Sequence, residues 1–295
     1  MKEFALFPGC LIPERVPSYE VSLRQTAEKL DVNFAEPEGE WTCCAPVGIL
    51  SLDYFTSLSV GARNLAVVEE MGLDTMCTPC NGCFEGLDRI ARILNQEPET
   101  LVKVNEILAE VDKEYKGTVQ VRHLAEIYFD DVGVDKIKET MVKPLDALQV
   151  GIRPGCHLFR PIEVIGIDFS ERHFFLDDLI EATGAESVYY QHRLRCCGGL
   201  LRNVSDDLTE GMLRERLMEL KEAEVDCLVT VCPLCFLQFD LGQKLVERKY
   251  KEKYDIPTLT YSELLGLGMG MSADELGLAT HRIKLDKVLA KIGVD

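Results

Sequence analysis

The stretch Cys196-Cys197-Gly198-Gly199 lies between Cys156 upstream and Cys232-Pro233-Leu234-Cys235 downstream, and this five-cysteine set is written twice in the chain. In the earlier copy Cys10 precedes the pair Cys43-Cys44, and Cys80-Asn81-Gly82-Cys83 follows it. The spacings are C-x(32)-C-C-x(35)-C-x(2)-C and C-x(39)-C-C-x(34)-C-x(2)-C. The surroundings repeat as well: Phe7-Pro8-Gly9-Cys10 aligns with Arg153-Pro154-Gly155-Cys156, and residues 74–84 align with residues 226–236, keeping Asp, Thr, both Cys and Phe in place. These matches indicate an internal duplication. Cys77 and Cys227 face non-cysteine residues in the opposite copy, so they read as small hydrophobes of a buried strand and stay outside the shared site.

Working outward, 295 residues that are 46% hydrophobic can build one large core or two ordinary ones, and the duplication favours two domains, residues 1–145 and 146–295. No apolar run approaches the ~18 residues of a membrane span, and no leader follows Met1, so the chain reads as a cytoplasmic protein without a transmembrane segment. Cysteines of such a chain are thiolate ligands more readily than disulfides. A net charge of -18 argues against nucleic acid, whose phosphates demand clustered Lys and Arg.

Along the chain, short apolar runs ending at the cysteines alternate with helical periodicities. Residues 4–7, 32–34, 74–78 and 119–121 read as strands of the first half, and 148–152, 187–190, 227–231 and 258–260 as strands of the second. Between them, Leu23, Ala27 and Leu30 recur at helical spacing, as do Leu58, Ala62, Leu65 and Val68, and helices are expected over 99–115 and 174–182. Ser205 caps a helix whose face is Leu208, Met212, Leu213, Leu217 and Leu220, its charged side reading as a solvated surface. The charged stretch 130–144 reads as a linker. Gly266-Leu267-Gly268-Met269-Gly270 lacks the context of a dinucleotide site and reads as a loop. Strands alternating with helices imply an α/β fold with parallel sheets, whose sites lie beyond the carboxyl ends of the strands, where all the paired cysteines fall.

Five thiolates exceed the four that a tetrahedral zinc takes, and adjacent cysteines sit awkwardly on one small ion. An iron-sulfur cluster spreads its coordination over several irons and suits this set better. On these motifs the chain resembles, over essentially its full length, the CCG-domain proteins of the heterodisulfide reductase B-subunit family of methanogenic archaea. The resemblance implies two Rossmann-like CCG domains, each holding one noncubane 4Fe-4S cluster. Carried over by position, one cluster takes Cys10, Cys43, Cys44, Cys80 and Cys83, and the other Cys156, Cys196, Cys197, Cys232 and Cys235. It further implies two-electron reduction of the coenzyme M-coenzyme B mixed disulfide in methanogenesis. The implied partners are a C subunit carrying cubane clusters and a flavin-containing A subunit, with a hydrogenase or formate dehydrogenase upstream. A second reading within the family is an electron-transfer or membrane-docking subunit of a succinate, lactate or glycolate oxidoreductase. One departure from the pattern is Ala45-Pro46 after Cys43-Cys44 where the second copy has Gly198-Gly199, which matters if that position needs a positive φ.

Against 50 acidic and 32 basic residues overall, residues 189–204 carry His192, Arg193, Arg195 and Arg202 with no acid, and residues 151–161 carry Arg153, His157 and Arg160 with none. The loop 41–52 has no charge at all. The arginines either offset an anionic cluster or form, with His157, a wall that binds the anionic ends of the substrate. His157 reads equally as a structural residue.

Overall fold

The computed structural model describes residues 3–37, 39, 41–160 and 175–294. Pro161 and Phe174, at the edges of two stretches read above, lie outside them.

Each half builds a four-stranded parallel sheet. The first comprises β1 (Glu3–Leu6), β2 (Asn33–Ala35), β3 (Thr75–Thr78) and β4 (Gln120–His123) in the order β2-β1-β3-β4. The second comprises β5 (Gln149–Arg153), β6 (Glu186–Val188), β7 (Cys227–Thr230) and β8 (Thr258–Thr260) in the order β6-β5-β7-β8. Both central pairs are apolar: Phe4, Ala5, Leu6, Met76 and Cys77 in one sheet, and Val150, Ile152, Cys227, Leu228 and Val229 in the other, are all buried. That is the signature of parallel strands covered on both faces. Cys77 and Cys227 are fully buried in these strands, as expected of hydrophobes. The chain reverses direction across the sheet between β1 and β3, and again between β5 and β7, which opens a crevice at the carboxyl ends of those strands.

Local sequence sets most helix starts. Asp53 accepts from the Thr56 amide to cap Tyr54–Glu70, and Ser205 accepts from Leu208 to cap Asp206–Glu222. After both β4 and β8 the last strand residue opens a reciprocal capping box, His123 with Glu126 and Thr260 with Glu263. Leu208 differs from expectation: it is 53% exposed, and Thr209 takes the buried position in its turn.

The sheets fall on either side of residue 145, but the compact units exchange segments. One unit holds residues 1–10, 31–127 and a segment beginning at His157, and the other holds 11–30, 128–156 and the remainder. The Pro17–Lys29 helix, which joins β1 to β2, packs in the second unit against the Tyr261–Gly268 helix. Thr26 Oγ1 and Tyr128 Oη are 3.3 Å apart there, and Lys136 Nζ donates to the Leu30 carbonyl at 2.8 Å. Two expectations change as a result. The stretch 130–144 is folded into the second unit, with a π-helix Ile127–Val132 and a helix Val134–Glu139 that bury Tyr128 and Ile137 and turn their charges outward. Gly266 and Gly268 lie in a buried helix and not in a loop. No helix among the described residues is long and apolar enough to cross a membrane.

Candidate iron-sulfur sites

Each site assembles from three strand ends. In the first unit the chain leaves β1 through Phe7, whose amide donates to the Cys77 carbonyl at 2.8 Å, and turns at Gly9 with φ +71°. A β-carbon on Gly9 would stand 2.8 Å from Cys83 Sγ, so only glycine lets this turn cross the sulfur on its way to Cys10. After β3, Thr78 Oγ1 accepts from the Cys80 amide at 3.4 Å, and Cys80 is the N-cap of the Asn81–Gln96 helix. Cys83 therefore sits in the first turn, over unpaired amides and the positive dipole end. The second unit repeats this: Thr230 Oγ1 accepts from Cys232 at 3.3 Å, Cys232 caps Pro233–Tyr250, and Cys235 occupies the first turn.

The vicinal pairs are held by different means. Asn64, fully buried, accepts from the Thr42 amide and hydroxyl at 2.9 and 3.0 Å and donates to the Cys43 carbonyl at 2.9 Å. In the second unit Gln238 Nε2 donates to the Cys197 carbonyl at 3.2 Å and Thr209 Oγ1 to the Gly198 carbonyl at 3.3 Å. The Gly198 and Gly199 amides turn inward onto Cys196 Sγ and Cys197 Sγ at 3.3 and 3.4 Å. The departure at Ala45 is answered here: Ala45 has φ +50° and Gly198 φ +79°, so both copies use the left-handed conformation after the pair, and alanine bears its steric cost.

The thiols form the same chain of neighbours in both units. Cys10 is felt by Cys43, which adjoins Cys44, then Cys83, then Cys80. Likewise Cys156 adjoins Cys196, then Cys197, then Cys235 with sulfurs 3.7 Å apart, then Cys232. All ten are free thiols. No three His, Cys, Asp or Glu among the described residues converge as ligands of a single ion. A string of five soft donors, reached by helix-end amides, fits a multi-iron cluster. Hydrogen bonding from Cys156 and Cys197 pulls Cys196 down to about 2, and a hydrogen bond to Cys196 pushes Cys197 up to about 11. The hydrogen bond from Cys83 lowers Cys44, while Cys83 and Cys235, in contact with two other thiols each and buried, are driven well above the ordinary thiol range.

The basic residues divide. Arg153 is fully buried; its Nη1 donates to the Arg193 carbonyl at 2.8 Å, its guanidinium lies over Phe239, and Nε and Nη2 have no hydrogen-bond partner among the described residues. Arg193 is 4% exposed and grips Asp177 with two bonds of 2.8 and 2.9 Å. His192 Nδ1 lies 2.9 Å from Glu219. Arg202 is half-buried between Gln238 at 3.2 Å and Asp206 at 3.6 Å, and Arg195 is exposed. Arg153, Arg193, Arg195 and Arg202 thus gather in the second unit. His157 and the exposed Arg160 belong to the first, where His157 Nδ1 is 3.4 Å from Glu85. Burial opposes the charge of Glu85, yet His157 and Arg89 hold its carboxyl below the usual range. Asn64, Gln238 and Glu85 escaped the sequence reading, having no counterpart in the opposite copy; Thr78 and Thr230 were visible as a repeated residue.

Residues 4–88 and 150–240 both match the cysteine-rich CCG domain. The chain is 40% identical over 294 residues, 99% of its length and 97% of the relative's, to the B subunit of the ferredoxin/F(420)H(2)-dependent CoB-CoM heterodisulfide reductase of Methanosarcina acetivorans. It is 32% identical, over 97% of its length and 99% of the relative's, to the 8-methylmenaquinol:fumarate reductase membrane anchor subunit of Wolinella succinogenes. Among solved structures, a hypothetical protein from Helicobacter pylori superposes with a TM-score of 0.76 at 17% identity, covering 96% of this chain and 52% of that one, a likeness of fold alone. With two copies of the domain and a full-length match to heterodisulfide reductase B subunits, the chain belongs to the CCG cysteine-rich domain family.

Proposed function

We propose that the chain is the disulfide-reducing subunit of a heterodisulfide reductase, cleaving the coenzyme M-coenzyme B mixed disulfide at two noncubane 4Fe-4S clusters, one in each unit. The observation that carries this reading is the doubled five-thiol site with one order of neighbours in both copies. When bound, the clusters would supply electrons one at a time, two electrons and two protons being needed to convert one disulfide to two thiols. Cys10, Cys43, Cys44, Cys80 and Cys83 hold one cluster, and Cys156, Cys196, Cys197, Cys232 and Cys235 the other. Electrons arrive from a partner subunit with cubane clusters, itself served by a flavin-containing subunit, in the cytoplasm.

The chain's other residues bind the substrate's anionic ends. Arg195 is exposed, and Arg202 is half-buried beside the loop of Cys196 and Cys197. These two are the proposed contacts for sulfonate, carboxylate or phosphate in the second unit, as Arg160 and His157 are in the first. Arg193 is engaged by Asp177, and Arg153 is buried over Phe239 and bonded to the Arg193 carbonyl.

The test is anaerobic purification with iron and sulfide analysis, followed by heterodisulfide reduction with an artificial reductant. The reading requires about eight irons per chain and disulfide consumption, and Arg195→Ala should keep its iron, raise KM and flatten the salt dependence of KM. The Wolinella relative favours a second reading, an electron-relaying or membrane-docking subunit. Clusters that are reduced reversibly but consume no disulfide, and respond to neither thiol product, decide for it.

A further inference from the structure

The repeats superimpose their cysteines but not their charges. Where the second copy has Arg153 at the end of β5, the first has Phe7 at the end of β1. Phe7 is buried edge-on against Trp41 at 5.2 Å, and the adjoining loop 41–52 is uncharged. Arg153 is a permanent cation with no solvent exposure, and among the described residues no carboxylate bonds to it and two of its nitrogens lack any hydrogen bond. Such a group is costly to bury unless an anion faces it. Its guanidinium lies over Phe239, which packs in one buried cluster with Cys197, Cys232 and Cys235, and its strand position pairs with Thr230, whose hydroxyl accepts from the Cys232 amide; its charge acts on Tyr190, whose hydroxyl donates to Ile152, and on Cys235, Cys197 and Cys196. In the first unit the charge felt by Cys44 has the opposite sign, that of Glu85, whose own partners are Arg89 and His157.

We infer that Arg153 makes the second five-cysteine site the more readily reduced of the two, by standing as a buried, unpaired cation beside its sulfurs where the first repeat has Phe7. The inference rests on the proposal that both sites hold iron-sulfur clusters. Adding an electron makes a cluster more negative, and a fixed cation buried beside it in a poorly screened interior favours the reduced form. The first site, over an aromatic layer and beside a carboxylate, lacks that assistance. The two sites of a duplicated protein therefore accept electrons in a fixed order, the second before the first, with the electron supplied by the partner or by an artificial reductant.

The experiment is a redox titration of the loaded protein followed by electron paramagnetic resonance, with Cys10→Ser and Cys156→Ser used to assign each couple to its site. The couple that vanishes in Cys156→Ser should be the more positive. Arg153→Met should lower that couple by at least a tenfold change in its reduction equilibrium, 59 mV for one electron, leave the first couple in place, and keep its iron. Arg153→Lys should restore most of the shift, which a merely structural role would not do. A wild-type order in which the first site is equal or more positive overturns the inference, and so does a fully loaded Arg153→Met protein with an unmoved second couple. If Arg153→Met does not load, the wild-type order and Arg153→Lys decide. Iron-free wild-type protein after anaerobic reconstitution refutes the cluster proposal itself, and the inference falls with it.

Discussion

Replacing Asn64 by leucine tests whether the vicinal pair of the first site depends on one buried amide. Leucine branches at the same carbon and has the same number of side-chain heavy atoms as asparagine, but its methyl groups are bulkier than the planar amide, so some overpacking at this buried position adds to the loss of the polar contacts. Four are removed, to the Thr42 amide, the Thr42 hydroxyl, the Cys43 carbonyl and, at 3.4 Å, the Val60 carbonyl of its own helix. Each is worth about 0.5–1.5 kcal/mol net. Thr42 and Cys43 are exposed, so water recovers part of the loss, and the sum is about 2–3 kcal/mol. For a domain of this size that corresponds to a fall in Tm of roughly 4–12 °C, read on iron-free protein. The second site is held by Gln238 and Thr209 and is untouched by the change. Reconstituted Asn64→Leu protein should therefore lose iron from the first site only. Full iron at both sites together with a Tm within about 1 °C of wild type would refute the reasoning. Asn64→Asp keeps the acceptor for Thr42 but sets a carboxylate oxygen against the Cys43 carbonyl, and at neutral pH it should be no milder.

Gly9→Ala should impair loading of the first site, because the new methyl group, 2.8 Å from Cys83 Sγ in a left-handed turn, must displace that sulfur; iron analysis beside an unaltered second site checks it. Gly198→Ala, which imposes on the second copy the geometry Ala45 already bears, should cost about 1–2 kcal/mol in a denaturant titration, and no loss would show that the loop relaxes freely. His281 gives a pH dependence. Burial opposes its protonation, but Glu263 at 3.1 Å and Asp240 outweigh this and raise it above its ordinary 6.5. The folded value lies above the unfolded one, so its stabilisation is complete below about 6.5 and fades as pH rises through the folded value. The gap in Tm between wild type and His281→Gln should thus be wider at pH 6 than at pH 9, and a gap that widens with pH refutes the pairing.

The doubled cysteine pattern, the parallel strands that deliver the cysteines at their carboxyl ends, and the burial of Cys77 and Cys227 were legible from residue order alone. They are local facts: a short apolar run before a cysteine, a threonine two residues ahead of it, a helical periodicity after it. What lay beyond reading was the choice of partner surface. Leu23 and Ala27 announce a helix with a buried face, but an apolar face carries no address, and only the tertiary fold lays that helix in the second unit, where it packs against the Tyr261–Gly268 helix and bonds to Tyr128 and Lys136. The arginines teach the same lesson about charge. In sequence Arg153, Arg193, Arg195 and Arg202 are one basic cluster. Packing separates them into a buried cation over Phe239, an ion pair with Asp177, an exposed side chain and a half-buried one held by Gln238, because a guanidinium's role is set by what desolvates and faces it, which sequence proximity does not specify.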